Sequence, residues 1–180
     1  FSRLVPQEID RIDAMIHELL QFARPSPPKL ESTNLYELLN NTLGFLSNNF
    51  TRHNISVQKD YEDIKDRQFF LDANQIKQVV LNLFLNAIDA MPGGGTLLVT
   101  GRVSNPSVVI SVADTGCGIA PEDLKHIFEA FFTKKEKGTG LGLAVTKNII
   151  EEHGGKISVK SKIGEGTTFA IELPLTNNKT

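Results

Sequence analysis

Residues 75–90 carry two different surfaces on one helical period, and that pattern constrains the fold more than any other. Ile76, Val79, Val80, Leu83, Ala87 and Ala90 recur at steps of three and four, which lines them along one face of an α-helix. Gln75, Gln78, Asn82, Asn86 and Asp89 recur with the same period on another face. Asp72 and Gln75 supply a start signal, and Pro92 with Gly93–Gly95 supplies a stop. A stripe of this length has to lie on a second layer of structure. Most polar stripes are simply solvated. This one lacks Lys, Arg and Glu except for Lys77 off to the side. Asn disfavours helix because its side chain competes for the backbone, so two of them four apart need a reason. Their amide oxygens are hard donors of the kind Mg²⁺ accepts. The stripe alone leaves solvated face and ligand face both open.

The flanking segments predict a body of helices and strands. Asn34 and Glu37 form a capping box that opens a helix to about Phe50. Ile55, Val57 and Lys59 alternate as a strand, and 68–71 reads as a second. Strands follow at 96–103 and 107–113, joined by Asn105-Pro106. A short helix is expected over 121–130 and a longer one from about Gly140 to His153, ended by Gly154-Gly155. Strands 156–161 and 167–173 close the chain through Gly164-Glu165-Gly166. The fold class is α+β: a two-layer α/β sandwich with helices on one face of a mixed sheet. One helix precedes it. Ile9, Ile12, Met15, Ile16, Leu19, Leu20 and Phe22 mark that helix over 6–23, and Pro25, Pro27 and Pro28 end it. The expected division is 1–24 helix, 25–33 linker, 34–176 body and 177–180 tail.

Composition excludes several function classes. A net charge of −2 argues against nucleic acid as a partner, which needs a clustered basic face. No apolar run approaches a membrane span of about 18 residues, so no membrane contact is expected from this segment. The single cysteine, Cys117, excludes an internal disulfide framework and fits a reducing, cytoplasmic setting. His53, His126 and His153 lack ligand spacing and are expected at surfaces or helix ends rather than on zinc. The missing initial Met leads to the expectation of an excised fragment.

Two glycine loops follow the Asn-bearing helix in sequence. Asp114-Thr115-Gly116-Cys117-Gly118 follows a strand. It is either a plain turn or a carboxylate at a pocket floor with glycines admitting a ligand. Gly138-Thr139-Gly140-Leu141-Gly142-Leu143 opens a helix, with Gly140 and Gly142 expected inside its first turn. Each such glycine costs about 1 kcal/mol against Ala, tolerable where N–H groups cradle phosphate. Neither the Walker pattern nor the dinucleotide pattern is present, so the pocket belongs to another nucleotide fold.

Taken in order, these segments resemble the ATP-binding domain of sensor histidine kinases, in the superfamily shared with DNA gyrase B and MutL. Gln78–Ala87 is similar to the N box, Asp114–Gly118 to the first glycine box and Phe128–Phe132 to the F box. Gly138–Leu143 and Gly164–Phe169 resemble the two later glycine boxes, so the likeness spans 34–175. It implies the Bergerat-type fold, with ATP and Mg²⁺ as ligands. By that resemblance Asn86 holds Mg²⁺, Asn82 lies near the phosphates and Asp114 accepts from the adenine amino group. Gly116 and Gly118 admit base and sugar, residues 119–137 form a mobile lid, and Lys135 is its phosphate-facing lysine. Lys134 and Lys137 are expected in solvent. Ile119 and Phe132 join the ATP-binding set; Gly138, Thr139, Gly140, Leu141, Gly142 and Leu143 cradle phosphate, and Thr167 lies on the adenine side. Two departures stand out. Ala90 replaces an aromatic of many members, and Asp89 stands where a basic residue is common.

The hydrolysing branch of the superfamily places a Glu four residues before the Mg²⁺-binding Asn. Asn82 stands there instead, and an amide is no general base at neutral pH. A phosphate donor is therefore expected rather than a hydrolase. His17 superficially matches the family's phosphoacceptor, but residues 6–24 resemble the end of the second dimerisation helix, which puts the acceptor histidine upstream of Phe1. The resemblance implies as partners the phosphoacceptor-histidine domain of the same protein, a second copy as homodimer, and a response-regulator receiver domain. The competing readings are an anti-sigma-type serine kinase and a non-catalytic, ATP-gated interaction domain.

Overall fold

The computed structural model describes residues 26–135 and 138–175. The expected helix over 6–23 with His17, together with Pro25, Lys137 and the tail 177–180, lies outside the described residues.

The elements run β1 (Glu31–Thr33), α1 (Leu35–Phe45), α2 (Ser47–Arg52), β2 (Ile55–Asp60), a 3₁₀ turn (Glu62–Ile64), β3 (Phe69–Leu71) and α3 (Ala73–Ala90). After these come β4 (Gly95–Ser104), β5 (Ser107–Asp114), α4 (Gly142–Glu152), β6 (Lys156–Lys162) and β7 (Gly166–Pro174). β1 and β3 form a small antiparallel ribbon. The main sheet has the order β2-β4-β5-β7-β6. Its β2–β4 neighbours are parallel and the other pairs antiparallel, which makes the sheet mixed, as expected.

Helices cover one face of this sheet, and the strands alternate accordingly. Val99, Ile110, Val112, Phe169 and Ile171 are buried beneath the helices. Their neighbours Thr100, Ser111, Ala113 and Ala170 are half-buried on the other face. α3 supplies the matching surface: Ile76, Val79, Val80, Leu83 and Ala87 are all at most 3% exposed. Phe84 and Ile88 are buried too, a wider stripe than the spacing alone predicted. The reason is that α3 packs on helices as well as on the sheet. Phe84, for example, meets Phe50 of α2 edge to face, with ring centroids 6.5 Å apart.

Four expectations about secondary structure are corrected. The helix expected from Asn34 to Phe50 breaks at Leu46 into α1 and α2. The Asn34 side chain caps α1 by accepting from the Glu37 N–H at 3.1 Å. Near the other end Thr42 Oγ1 back-bonds to the Leu38 carbonyl at 2.8 Å, which weakens the last turn ahead of Gly44. The break lets Leu43, Leu46 and Phe50 all enter the core. Residues 31–33, read as linker, form β1; three residues are too few to show alternation. No helix exists over 121–130. Separate turns such as Asp123 N–H to Ala120 and His126 N–H to Asp123 carry that backbone, anchored by buried Ile127 and by Phe128 edge-on to Phe169. Finally, α4 starts at Gly142 rather than Gly140, whose φ of +70° is incompatible with a right-handed helix.

His153, expected at a surface or helix end, is the C-cap of α4 and only 1% exposed. Its Nδ1 lies 2.7 Å from the Ile149 carbonyl, and its Nε2 accepts the Asp72 N–H at 3.1 Å. Those bonds assign the ring proton to Nδ1. They also tie the end of α4 to the N-cap of α3, because Asp72 Oδ1 caps Asn74 and Gln75 at 3.1 Å. His153→Ala removes both bonds and leaves a buried N–H and a cavity. The expected loss is about 2–4 kcal/mol in urea unfolding, against less than 1 kcal/mol for a surface change such as His126→Ala.

Candidate active site

α3 is the common wall of the site: the Asp114 loop meets its end at Ala90, and the Gly138–Leu143 loop meets Asn82 of its polar stripe. Asp114 ends β5. Strand alternation puts it on the helix-covered face with Ile110 and Val112, opposite Thr167 of β7. Its carboxylate is 8% exposed, and Oδ1 accepts from the Gly116 N–H at 2.8 Å and the Thr167 N–H at 3.3 Å. Both bonds use one oxygen, leaving Oδ2 to receive a donor from a ligand. Burial pushes the carboxyl pKa above its ordinary value, outweighing the lowering by those two N–H groups. An acid held in an unfavourable setting at a loop junction is a candidate functional position.

The loop after Asp114 is clamped from three sides. Thr115 Oγ1 accepts from Thr96 N–H at 2.9 Å, Cys117 N–H donates to the Ala90 carbonyl at 3.0 Å, and Gly164 N–H donates to Cys117 at 2.8 Å. It therefore lies against the end of α3 and the β6–β7 turn that holds Gly118. Ile119 N–H donates to Ser161 Oγ at 2.8 Å, and that hydroxyl meets Thr167 Oγ1 at 2.9 Å. Thr167 is 4% exposed, with its backbone bonded to Asp114 and its hydroxyl to Ser161. The Ala90 position leaves no ring to cover a base, and its carbonyl is taken by Cys117.

Asn82 faces the other loop. Its Nδ2 donates to Thr146 Oγ1 of α4 at 2.8 Å, and a Cβ on Gly142 would sit 2.5 Å from its Oδ1. Gly142 is thus glycine because α4 begins directly against the α3 amide. Gly140 is glycine for another reason: a Cβ there would lie 2.4 Å from the Phe131 carbonyl carbon. Phe131 N–H donates to Gly140 at 2.9 Å, and Phe131 itself has φ +68°, rare for a residue with a side chain. Gly138 N–H bonds Lys135 at 3.1 Å, and Leu141 N–H bonds Thr139 Oγ1 at 3.2 Å. Leu141 is 3% exposed, and Leu143 is half-buried and packed against the core. Phe132 packs on the core, with its ring centroid 5.8 Å from that of His126.

Asn86 and Asp89 converge on Lys135. Its Nζ donates to Asn86 Oδ1 at 2.8 Å and to Asp89 Oδ2 at 2.7 Å. Lys134 is exposed, as expected, and pairs with Asp123 at the surface of the loop. Among the described residues no cluster of three His, Cys, Asp or Glu side chains could hold a metal by itself. The single hard oxygen of Asn86 fits a Mg²⁺ that arrives with phosphate and keeps most of its other ligands elsewhere. No described helix is long and apolar enough to cross a membrane.

Sequence reasoning missed Thr146, Ser161 and Phe131. Thr146 and Ser161 enter the site only through strand register and helix packing, which leave no local signal. A positive φ at a phenylalanine leaves none either.

Residues 71–177 match the family described as histidine kinase-, DNA gyrase B- and HSP90-like ATPase. Since that match covers more than half of the chain, the chain belongs to this family. It is 39% identical over 175 residues to sensor histidine kinase ZraS of Salmonella typhi, covering 97% of this chain and 37% of that one. The chain therefore spans little more than a third of that curated relative. Among solved structures it is similar to full-length ShkA in complex with AMPPNP, at TM-score 0.85 and 27% identity, over 94% of this chain and 37% of that one. It is also similar to histidine kinase ThkA in complex with the response regulator TrrA, at TM-score 0.83 and 29% identity, over 98% and 51% of the two chains. The fold is that of a histidine-kinase catalytic domain.

Proposed function

We propose that the chain binds Mg·ATP and donates its γ-phosphate to a histidine, for onward transfer to a response-regulator aspartate. The observation that carries this reading is the pair of amides at Asn82 and Asn86. Asn82, engaged by Thr146 and pressed against Gly142, offers no basic group to activate water. A pocket built this way holds a triphosphate and relies on positioning rather than general-base chemistry. Asp114 selects adenine through its free oxygen, and the N–H groups opening α4 face the phosphate side. Asn86 would hold Mg²⁺, whose charge would offset that developing on the phosphates, and Lys135 would contribute a second cation. The relatives' kinase names and the AMPPNP and TrrA complexes support this reading by analogy.

The test extends the protein to the length of its relatives and adds γ-labelled ATP with Mg²⁺. Acid-labile, alkali-stable label that passes to a receiver domain is expected. Acid-stable label would point to a hydroxyl acceptor, and absence of label to a binding module; either overturns the proposal. Asn86→Ala is expected to lower phosphotransfer at least about 100-fold, as loss of a transition-state charge contact does, with no large change in thermal stability. Labelling at fixed ATP and a Mg²⁺ titration measure both.

A further inference from the structure

Lys135 is engaged by two side chains of α3, one of them charged. Its ammonium sits between Asn86 Oδ1 at 2.8 Å and Asp89 Oδ2 at 2.7 Å. The two oxygens belong to residues three apart on α3, so they share one helix face and hold a cation jointly. One of them is the oxygen to which the preceding reading assigns Mg²⁺. A single carbonyl lone-pair region cannot serve a lysine ammonium and a divalent ion equally well, and two cations within contact of it repel. Asp89 brings a carboxylate to the Lys135 ammonium beside that oxygen.

We propose that Asp89 is a positioning residue that seats Lys135 on Asn86 and so sets Lys135 in competition with Mg²⁺ for that oxygen. Asn86 could hold Mg²⁺ only once Lys135 had left its Oδ1, which would free the ammonium to meet the phosphates. The inference rests on the assignment of Asn86 to Mg²⁺. The pair is about half exposed, with side-chain exposures of 47% and 56%, so its effect is modest. That suits a contact which has to break at each binding event. Coupling of this kind has a definite sign: whatever strengthens the resting pair raises the Mg²⁺ concentration needed for binding.

The experiment titrates Mg²⁺ into the chain with a fluorescent ATP analogue, in wild type, Asp89→Asn, Lys135→Gln and the double variant. Hydrogen exchange of residues 131–135 is followed in parallel without nucleotide. Asp89→Asn is expected to lower the half-saturating Mg²⁺ concentration about two- to five-fold, the range of an exposed ion pair. It is also expected to speed exchange in that segment. In the Lys135→Gln background the same substitution is expected to change neither quantity. A rise in half-saturating Mg²⁺ on Asp89→Asn would overturn the proposal, since Asp89 would then serve the metal directly. Unchanged exchange, or an effect that persists without Lys135, overturns it as well. Asn86→Ala separates the two readings. If it leaves Mg²⁺ dependence intact, the assignment of Asn86 is wrong. If it abolishes that dependence while Asp89→Asn does nothing, only the seating of Lys135 is wrong.

Discussion

Asp114→Asn is expected to weaken ATP binding about 10- to 100-fold while leaving the folded protein as stable as before or more so. The amide oxygen can still accept from Gly116 and Thr167, so the end of β5 keeps its bonds. The other end of the side chain becomes an NH₂ group and meets the adenine amino donor with a donor. A hydrogen bond to a charged group contributes about 1.5–3 kcal/mol, which sets the fold-change. The stability sign follows from the raised carboxyl pKa, caused first by burial and opposed by the two N–H groups. A group that binds its proton more tightly folded than unfolded penalises the folded state when ionised. The penalty is fully present above the folded pKa and disappears as pH falls through the folded and then the unfolded value. Asn carries no such penalty at neutral pH. Isothermal titration with ATP and melting curves from pH 4 to 7 check both halves. A large drop in melting temperature at pH 7 would show that Asp114 is a structural anchor instead.

Gly140→Ala is expected to be more damaging than Gly142→Ala, although both glycines belong to one loop. At Gly142 the obstacle is the Asn82 side chain, which can turn once its bond to Thr146 breaks. At Gly140 the obstacle is the backbone of Phe131 at 2.4 Å, and the residue also needs φ +70°. A non-glycine residue is strained there by about 1 kcal/mol before any collision. The Phe131–Gly140 bond and the loop leading into α4 have to part. Nucleotide affinity is expected to fall at least about 100-fold, with about 1–3 kcal/mol lost in overall stability. Denaturant unfolding beside nucleotide titration makes the comparison. Equal effects at both glycines would mean that the contact with Phe131 is not limiting.

These two cases show how legible the molecule was. The loops around Asp114 and Gly138–Leu143 were visible as glycine clusters at strand and helix boundaries, and their chemistry followed from residue type. Why each glycine is required was not visible. Gly140 answers to Phe131, nine positions earlier, and Gly142 to Asn82, sixty positions earlier. The expected helix at 121–130 failed for the same kind of reason. Ile127 and Phe128 suited a helical stripe, but contacts with the core such as Phe128 on Phe169 hold that segment as turns.

By itself the amino-acid sequence determined the two faces of α3, the alternation of the central strands and the position of Asp114 at a strand end. Those features depend on local periodicity, which acts through nearest neighbours along one element. Only the tertiary structure decided what the polar face of α3 meets. Asn82 meets Thr146 across 64 positions, Asn86 meets Lys135 across 49, and Asp89 meets Lys135 across 46. Such pairings are set by how layers pack and where loops return, and no periodicity records them. The same holds for His153, which reads as an ordinary helix end and proves to be the buried link between α3 and α4.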